Sequence, residues 1–269
     1  MNTAHAVSCL KGIVIRESLR FLHQRGRFFS ALVRPLVWLF IFAAGFRSVL
    51  GVSIIPPYQT YVLYEEYITP GLLGMIMLFN GMQSSLSMVY DREMGSMRLL
   101  LVTPLPRWYL LLCKLLAGVA VALLQVYVFL LIAWFWEVRP PVGGYFLLVP
   151  ALVLCGLMLG ALGLMLSSFV KQLENFAGVM NFVIFPMFFA SSALYPLWRI
   201  RDSSELLYWI GFLNPFTHAV ELIRFSLYLE FNWQAAVVVI LCTLVFSAVA
   251  IVGYDPLRGF LPRKGGSAT

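Results

Sequence analysis

Residues 67–90, YITPGLLGMIMLFNGMQSSLSMVY, run for 24 positions without an Asp, Glu, Lys or Arg. About 20 mostly apolar residues cross the hydrocarbon of a bilayer as a helix, so this run is long enough to span one. The runs 115–136, 140–170, 175–198 and 231–254 are equally free of charge. A sixth candidate lies at 29–50, where Arg34 and Arg47 bound the apolar run Pro35 to Phe46 and each is expected to reach toward its own interface. The run 206–220 is short and broken by Asn214-Pro215, which suits a surface or re-entrant segment better than a seventh crossing.

The composition agrees. Of 269 residues 61% are hydrophobic and only 12% charged, against about 25% charged in a soluble domain. That excludes a soluble enzyme, a nucleic-acid-binding domain and a disulfide scaffold. The expected fold is all-α and membrane-embedded. An N-terminal amphipathic interfacial helix covers 1–28, six transmembrane helices cover 29–254 with short extracytoplasmic helices between the fifth and sixth, and a tail covers 255–269. Residues 1–28 carry five basic residues and no continuous apolar core, so they are not read as a cleavable signal.

The net charge of +7 is distributed unevenly. With six spans both termini share a side, and fourteen of the nineteen Lys and Arg residues fall on it, Arg92, Arg98, Arg107, Lys114 and Lys171 among them. The positive-inside rule places that side in the cytoplasm. Trp134, Trp136, Tyr195, Trp198, Trp233 and Tyr254 fall at span ends, where an aromatic belt would hold them.

No phosphate-cradling G-x-x-x-x-G-K-[ST] loop occurs, the three histidines do not cluster, and Cys9, Cys113, Cys155 and Cys242 form no metal spacing. Neither catalytic residues, nor a metal site, nor a bound cofactor is expected. The runs 67–90, 115–136, 145–169, 176–198 and 233–254 hold no ionisable Asp, Glu, Lys or Arg, which argues against an ion-coupled carrier. Energy would enter through the cytoplasmic loops. The largest is Asp91-Arg92-Glu93-Met94-Gly95-Ser96-Met97-Arg98-Leu99-Leu100-Leu101-Val102-Thr103-Pro104-Leu105-Pro106-Arg107. Asp91 suits an N-cap and the two prolines a stop, which predicts about three amphipathic turns. Such a helix fits docking into a groove on a soluble partner, or an interfacial loop lying on headgroups.

This loop, with Lys114 after it, resembles the corresponding loop of ABC-2 type permeases, the membrane subunits of ATP-binding-cassette exporters. A second likeness lies in Ala193-Leu194-Tyr195-Pro196-Leu197 and in Leu213-Asn214-Pro215-Phe216-Thr217-His218-Ala219-Val220-Glu221-Leu222-Ile223-Arg224. This part is similar to the segment after the fifth span of nodulation-factor and daunorubicin-type export permeases. The resemblance implies an exporter subunit in a bacterial inner membrane, working as a homodimer with two cytoplasmic ATPase subunits that carry ATP and Mg. It implies a coupling role for Arg92, Glu93, Met97, Arg98, Leu100 and Leu101. It also implies a pathway along spans two and five, whose polar candidates are Asn80, Gln83, Ser84, Asn181, Ser191 and Ser192. Asn214, Pro215, Thr217, His218, Glu221 and Arg224 form the extracytoplasmic signature. In that region, short helices are expected to lie at the outer leaflet, with Pro215 opening one of them and Glu221 pairing with Arg224. The chain departs from the family at Ser96-Met97-Arg98, where an acidic residue is usual. Small polar residues in a membrane also bind helices together, and Gly156, Gly160 and Gly163 are spaced for close packing of span four. Competing readings are an ATP-independent channel and a membrane scaffold.

Overall fold

The computed structural model describes residues 8, 11–15, 19, 25–46, 56–58, 62–94, 106–136, 138–170 and 172–254. They form helices α1 (Arg25–Phe46), α2 (Tyr64–Glu93), α3 (Arg107–Phe135), α4 (Val142–Phe169), α5 (Leu173–Phe189), α6 (Leu197–Ser203), α7 (Glu205–Leu213), α8 (Pro215–Leu227) and α9 (Trp233–Gly253), and no strand appears among the described residues. Of the expected interfacial helix, residues 11–15 are helical with Ile15 and Leu19 exposed; the other residues before Arg25, apart from Ser8, lie outside the described residues.

Among the described residues four helices are long and apolar enough to cross a membrane: Tyr64–Tyr90 of α2, Trp108–Phe135 of α3, and the whole of α4 and α9. The first and fifth expected spans are represented by shorter apolar helices, Leu32–Ile41 within α1 and Leu173–Phe189. The uncharged run 175–198 predicts a longer fifth helix than α5. The difference has a local cause. Pro186 lies in the last turn of α5, and the carbonyls of Met187 and Ala190 are taken by the Asn214 side chain at 2.7 and 3.0 Å, so the chain turns instead of continuing.

The centre of the bundle is the crossing of α2 and α4. Around it α4 also packs on α9, α8 and α3, and α2 on α1, α3, α5 and α8. Between apolar helices in lipid, association depends on close packing and hydrogen bonds, and small residues permit it. A Cβ on Gly81 of α2 would come within 2.9 Å of the Gly160 nitrogen and the Leu159 carbonyl, and one on Gly163 within 2.9 Å of the Gly81 carbonyl. The two backbones therefore touch, as the glycine spacing in span four predicts. Leu73, Met77, Leu78, Leu152, Cys155, Leu159 and Phe216 fill the surrounding core.

Ring contacts fix the ends. Trp38 lies against Phe188 and Phe40 against Trp136, so the C-terminal half of α1 meets the C-terminal ends of α5 and α3. The start of α1 and the end of α9 then lie at the opposite end of the bundle, the end that carries Arg92 and Tyr254. This end is called inner and the other outer.

Candidate functional site

The inner end is tied by two charged side chains. α2 continues through Asp91 to Glu93, so Asp91 is interior to a helix and no new helix starts there, contrary to its expected role as an N-cap. The reason is that the Met94 N–H still donates to Tyr90, closing another turn. Arg92 donates from Nη1 to the carbonyls of Ser167 and Val170 at 3.1 and 3.0 Å, and its guanidinium sits 4.7 Å above the Tyr254 ring. The Tyr254 hydroxyl is 2.7 Å from Ser167 Oγ. Glu93 accepts the Leu173 N–H at 3.2 Å and so caps the first turn of α5. Together the two residues join the inner ends of α2, α4, α5 and α9. Met97, Arg98, Leu100 and Leu101 lie outside the described residues.

At mid-height the polar positions expected on the pathway separate into two groups. Asn80 donates to the side-chain oxygen of Gln125 and, at 3.0 Å, to the Ile76 carbonyl; it therefore joins α2 to α3. Ser84 faces the same helix, since a Cβ on Gly118 would approach its Oγ to 3.2 Å. Gln83 and Asn181, in contrast, line a cavity of about 110 Å³ with Arg34, Pro35, Met75, Ile76, Phe79 and Met180, between α1, α2 and α5. The Arg34 guanidinium lies 3.9 Å above the centre of the Phe79 ring. Phe79 is halfway along α2, roughly 21 Å of helix from either end. Arg34 therefore does not reach to an interface as its place in the sequence suggests; a ring one helix away holds it at the middle of the bundle.

The outer end is a network built on α8. Asn214 caps the helix by accepting the Phe216 N–H at 3.0 Å, and Pro215 occupies its first turn, where a missing N–H costs nothing. Thr217 donates to the Gly211 carbonyl at 2.6 Å and His218 Nε2 to that of Phe212 at 2.9 Å, which fixes α7 against α8. Arg224 pairs with Glu221, donates from Nη2 to the Ser192 carbonyl at 2.8 Å and lies 4.2 Å above the Tyr67 ring. Tyr67 donates to the same Ser192 carbonyl at 3.1 Å and Tyr64 to that of Leu194 at 2.9 Å. Ser191 donates to Phe188 and accepts the Ala193 N–H, shaping the turn after α5. Tyr58 is buried beside them with its ring against Tyr228; burial pushes its hydroxyl above the usual tyrosine range, with Arg224 drawing it back.

The pairing of Glu221 with Arg224 and the opening of a helix at Pro215 match their sequence expectations, whereas the place of α8 does not. It is buried among α2, α4 and α9 instead of lying on the outside of the bundle, because Glu221 and Arg224 pair with each other, Thr217 and His218 bond to carbonyls of α7, and most of its other residues are apolar. Tyr64, Tyr67, Gln125 and Phe79 were not anticipated. Each partners a group remote in sequence, and only the charge of Arg34 inside an apolar run offered a signal for Phe79.

The sequence profile of the family described as ABC-2 type transporter matches residues 9–228. A putative transport permease, ycf38, of Cyanophora paradoxa is 28% identical over 211 residues, covering 76% of this chain and 68% of that one. The protein of the same description in Porphyra purpurea is 25% identical over 84% of this chain and 75% of its own. The probable multidrug ABC transporter permease YbhR of Escherichia coli K12 is 30% identical over 176 residues, 64% of this chain and 46% of that protein. The matched region takes in the mid-height cavity and the outer network alike, and the chain belongs to the ABC-2 type transporter family as a multi-pass membrane transport permease.

Proposed function

We propose that the chain is the membrane subunit of an ATP-driven exporter, working as a homodimer with two separate ATPase subunits. The observation that carries this reading is the placement of the cavity lined by Arg34, Gln83 and Asn181. It lies beside α5, a helix that packs chiefly on α2, and α5 turns Asn181, Phe182, Phe185 and Phe189 outward. Phe182 is 79% exposed. A second copy related by a two-fold axis would cover this face and enclose a pathway between the two cavities, and closed two-fold pairing is the commonest arrangement of identical chains. In this reading α1 and α5 also cross the bilayer, completing six spans. Both termini lie in the cytoplasm of a bacterial inner membrane, in keeping with the basic residues at the inner end.

Coupling enters at residues 91–103. Arg92 and Glu93 tie the inner end of α2 to α4, α5 and α9, so a tilt transmitted through the segment beyond them moves four helices together. Arg98 and the side chains of Met97, Leu100 and Leu101 are assigned to contact with the ATPase. The test is co-purification of the chain with its ATPase. Leu100→Asp is expected to leave insertion and dimerisation intact while releasing the ATPase or abolishing substrate-stimulated hydrolysis. Wild-type association and stimulation in that variant would remove the loop from the coupling path.

A further inference from the structure

We infer that the cavity between α1, α2 and α5 binds the anionic group of an amphipathic molecule, with Arg34 as the charged contact and Gln83 and Asn181 as hydrogen-bond donors beside it. The inference rests on the reading of this cavity as part of the transport pathway and adds the chemistry of what enters it.

Arg224 is buried, Arg92 half-buried at the inner end and Arg34 exposed on the flank of the bundle; all three stack on aromatic rings, and they differ in what their N–H groups do. Arg224 donates to Glu221 and to the Ser192 carbonyl, and Arg92 to the carbonyls of Ser167 and Val170. Both serve as structural ties, each giving two hydrogen bonds to main-chain or carboxylate oxygens. Arg34 rests on Phe79 at 3.9 Å, and among the described residues no carboxylate or carbonyl accepts a hydrogen bond from it. A guanidinium carries five N–H donors along its edge, and stacking through its face leaves that edge available. Gln83 and Asn181 likewise make no side-chain hydrogen bond to any described residue, and they line the same cavity. Among the described residues that line it, Arg34 is the charged one and none is Asp or Glu. An ionisable group at mid-membrane depth is costly and is retained where it meets a partner of opposite charge.

The rest of the wall sets the second property. Pro35, Met75, Ile76, Phe79 and Met180 are apolar, and thioethers adapt to varied shapes. A space of about 110 Å³ holds a phosphate, sulfate or carboxylate head with the first few carbons behind it, and the remaining tail extends past the exposed face of α5. A membrane lipid headgroup and a dissolved anionic amphiphile share this chemistry.

The chain is reconstituted in phosphatidylcholine nanodiscs and titrated calorimetrically with decyl phosphate and with decyltrimethylammonium, using empty nanodiscs as blanks. Decyl phosphate is expected to bind about tenfold or more tightly than the cation, the factor that one charge-assisted hydrogen bond supplies. Arg34→Gln is expected to erase the difference, Arg34→Lys to keep most of it, and Asn181→Ala to weaken anion binding while leaving thermal stability unchanged. Equal affinity for the two amphiphiles overturns the inference. So does an anion preference that survives Arg34→Gln in a protein with unchanged helicity. Replacing a third of the phosphatidylcholine with phosphatidylglycerol separates the sources: a weakened decyl phosphate affinity supports the lipid headgroup, and an unchanged one the dissolved amphiphile. ATP hydrolysis is measured separately on the complex with the ATPase. Selective binding without stimulation keeps the anion site and rejects its place on the pathway; stimulation by both amphiphiles without selective binding does the reverse.

Discussion

Arg224 holds the outer end of the molecule through two of its three nitrogens, Nη1 on Glu221 and Nη2 on the Ser192 carbonyl, while Nε is buried without a partner. Its side chain is 3% exposed and that of Glu221 24%. Removing one member of such a pair leaves the other desolvated and uncompensated, so Arg224→Ala should cost about 3 kcal/mol of stability, read as a lowered unfolding midpoint in detergent. Arg224→Lys should recover less than half, because one ammonium cannot reach both acceptors and cover Tyr67 as well. A loss below about 1 kcal/mol for Arg224→Ala would mean that the network is solvated and dispensable. The pair itself was legible, since residues three apart on a helix face one another. Its acceptor was not: a main-chain carbonyl 32 residues earlier in the chain leaves no mark in the sequence. Arg34 illustrates the same limit differently. Its charge is plain in the sequence, but its depth depends on the neighbouring helix that supplies Phe79.

Among the elements, the α2–α4 crossing should be the least tolerant of added volume. Gly81→Ala puts a methyl group within 2.9 Å of the backbone of α4, which cannot rotate away, so the helices must separate. Overpacking of this kind costs about 1–3 kcal/mol. Gly178 of α5 is a control, because nothing lies within 4 Å of a Cβ there. Gly178→Ala should stabilise by up to about 1 kcal/mol through helix propensity alone. Parallel thermal melts check the pair, and equal effects at the two sites would contradict the close crossing. Hydropathy made α2, α3, α4 and α9 legible, because long uncharged runs have few other fates. It misjudged α5, where Asn214 intercepts the carbonyls that would have continued the helix, and α8, whose composition reads the same at a leaflet surface as inside a bundle.

At the scale of the whole molecule, Asn80 and Asn181, both pathway candidates in the sequence, should behave differently in the proposed homodimer. Asn181 lies on the exposed face of α5 and Asn80 is turned inward to Gln125. Cysteine at position 181 should therefore crosslink to its counterpart in membranes and cysteine at position 80 should not. Crosslinking at 80 alone would place the axis elsewhere. The burial of α8 also bears on how the chain is made. Its 13 residues extend about 20 Å, too short to cross, and they carry Glu221 and Arg224. Such a segment cannot partition into lipid as it leaves the ribosome. The expected order is that α2 and α4 offer it walls first and α9, synthesised last, closes over it. A cysteine in place of Thr217 should accordingly react with an impermeant maleimide in a chain truncated and released after Asn232 and be shielded in the full-length protein, making the outer end the last part of the molecule to mature.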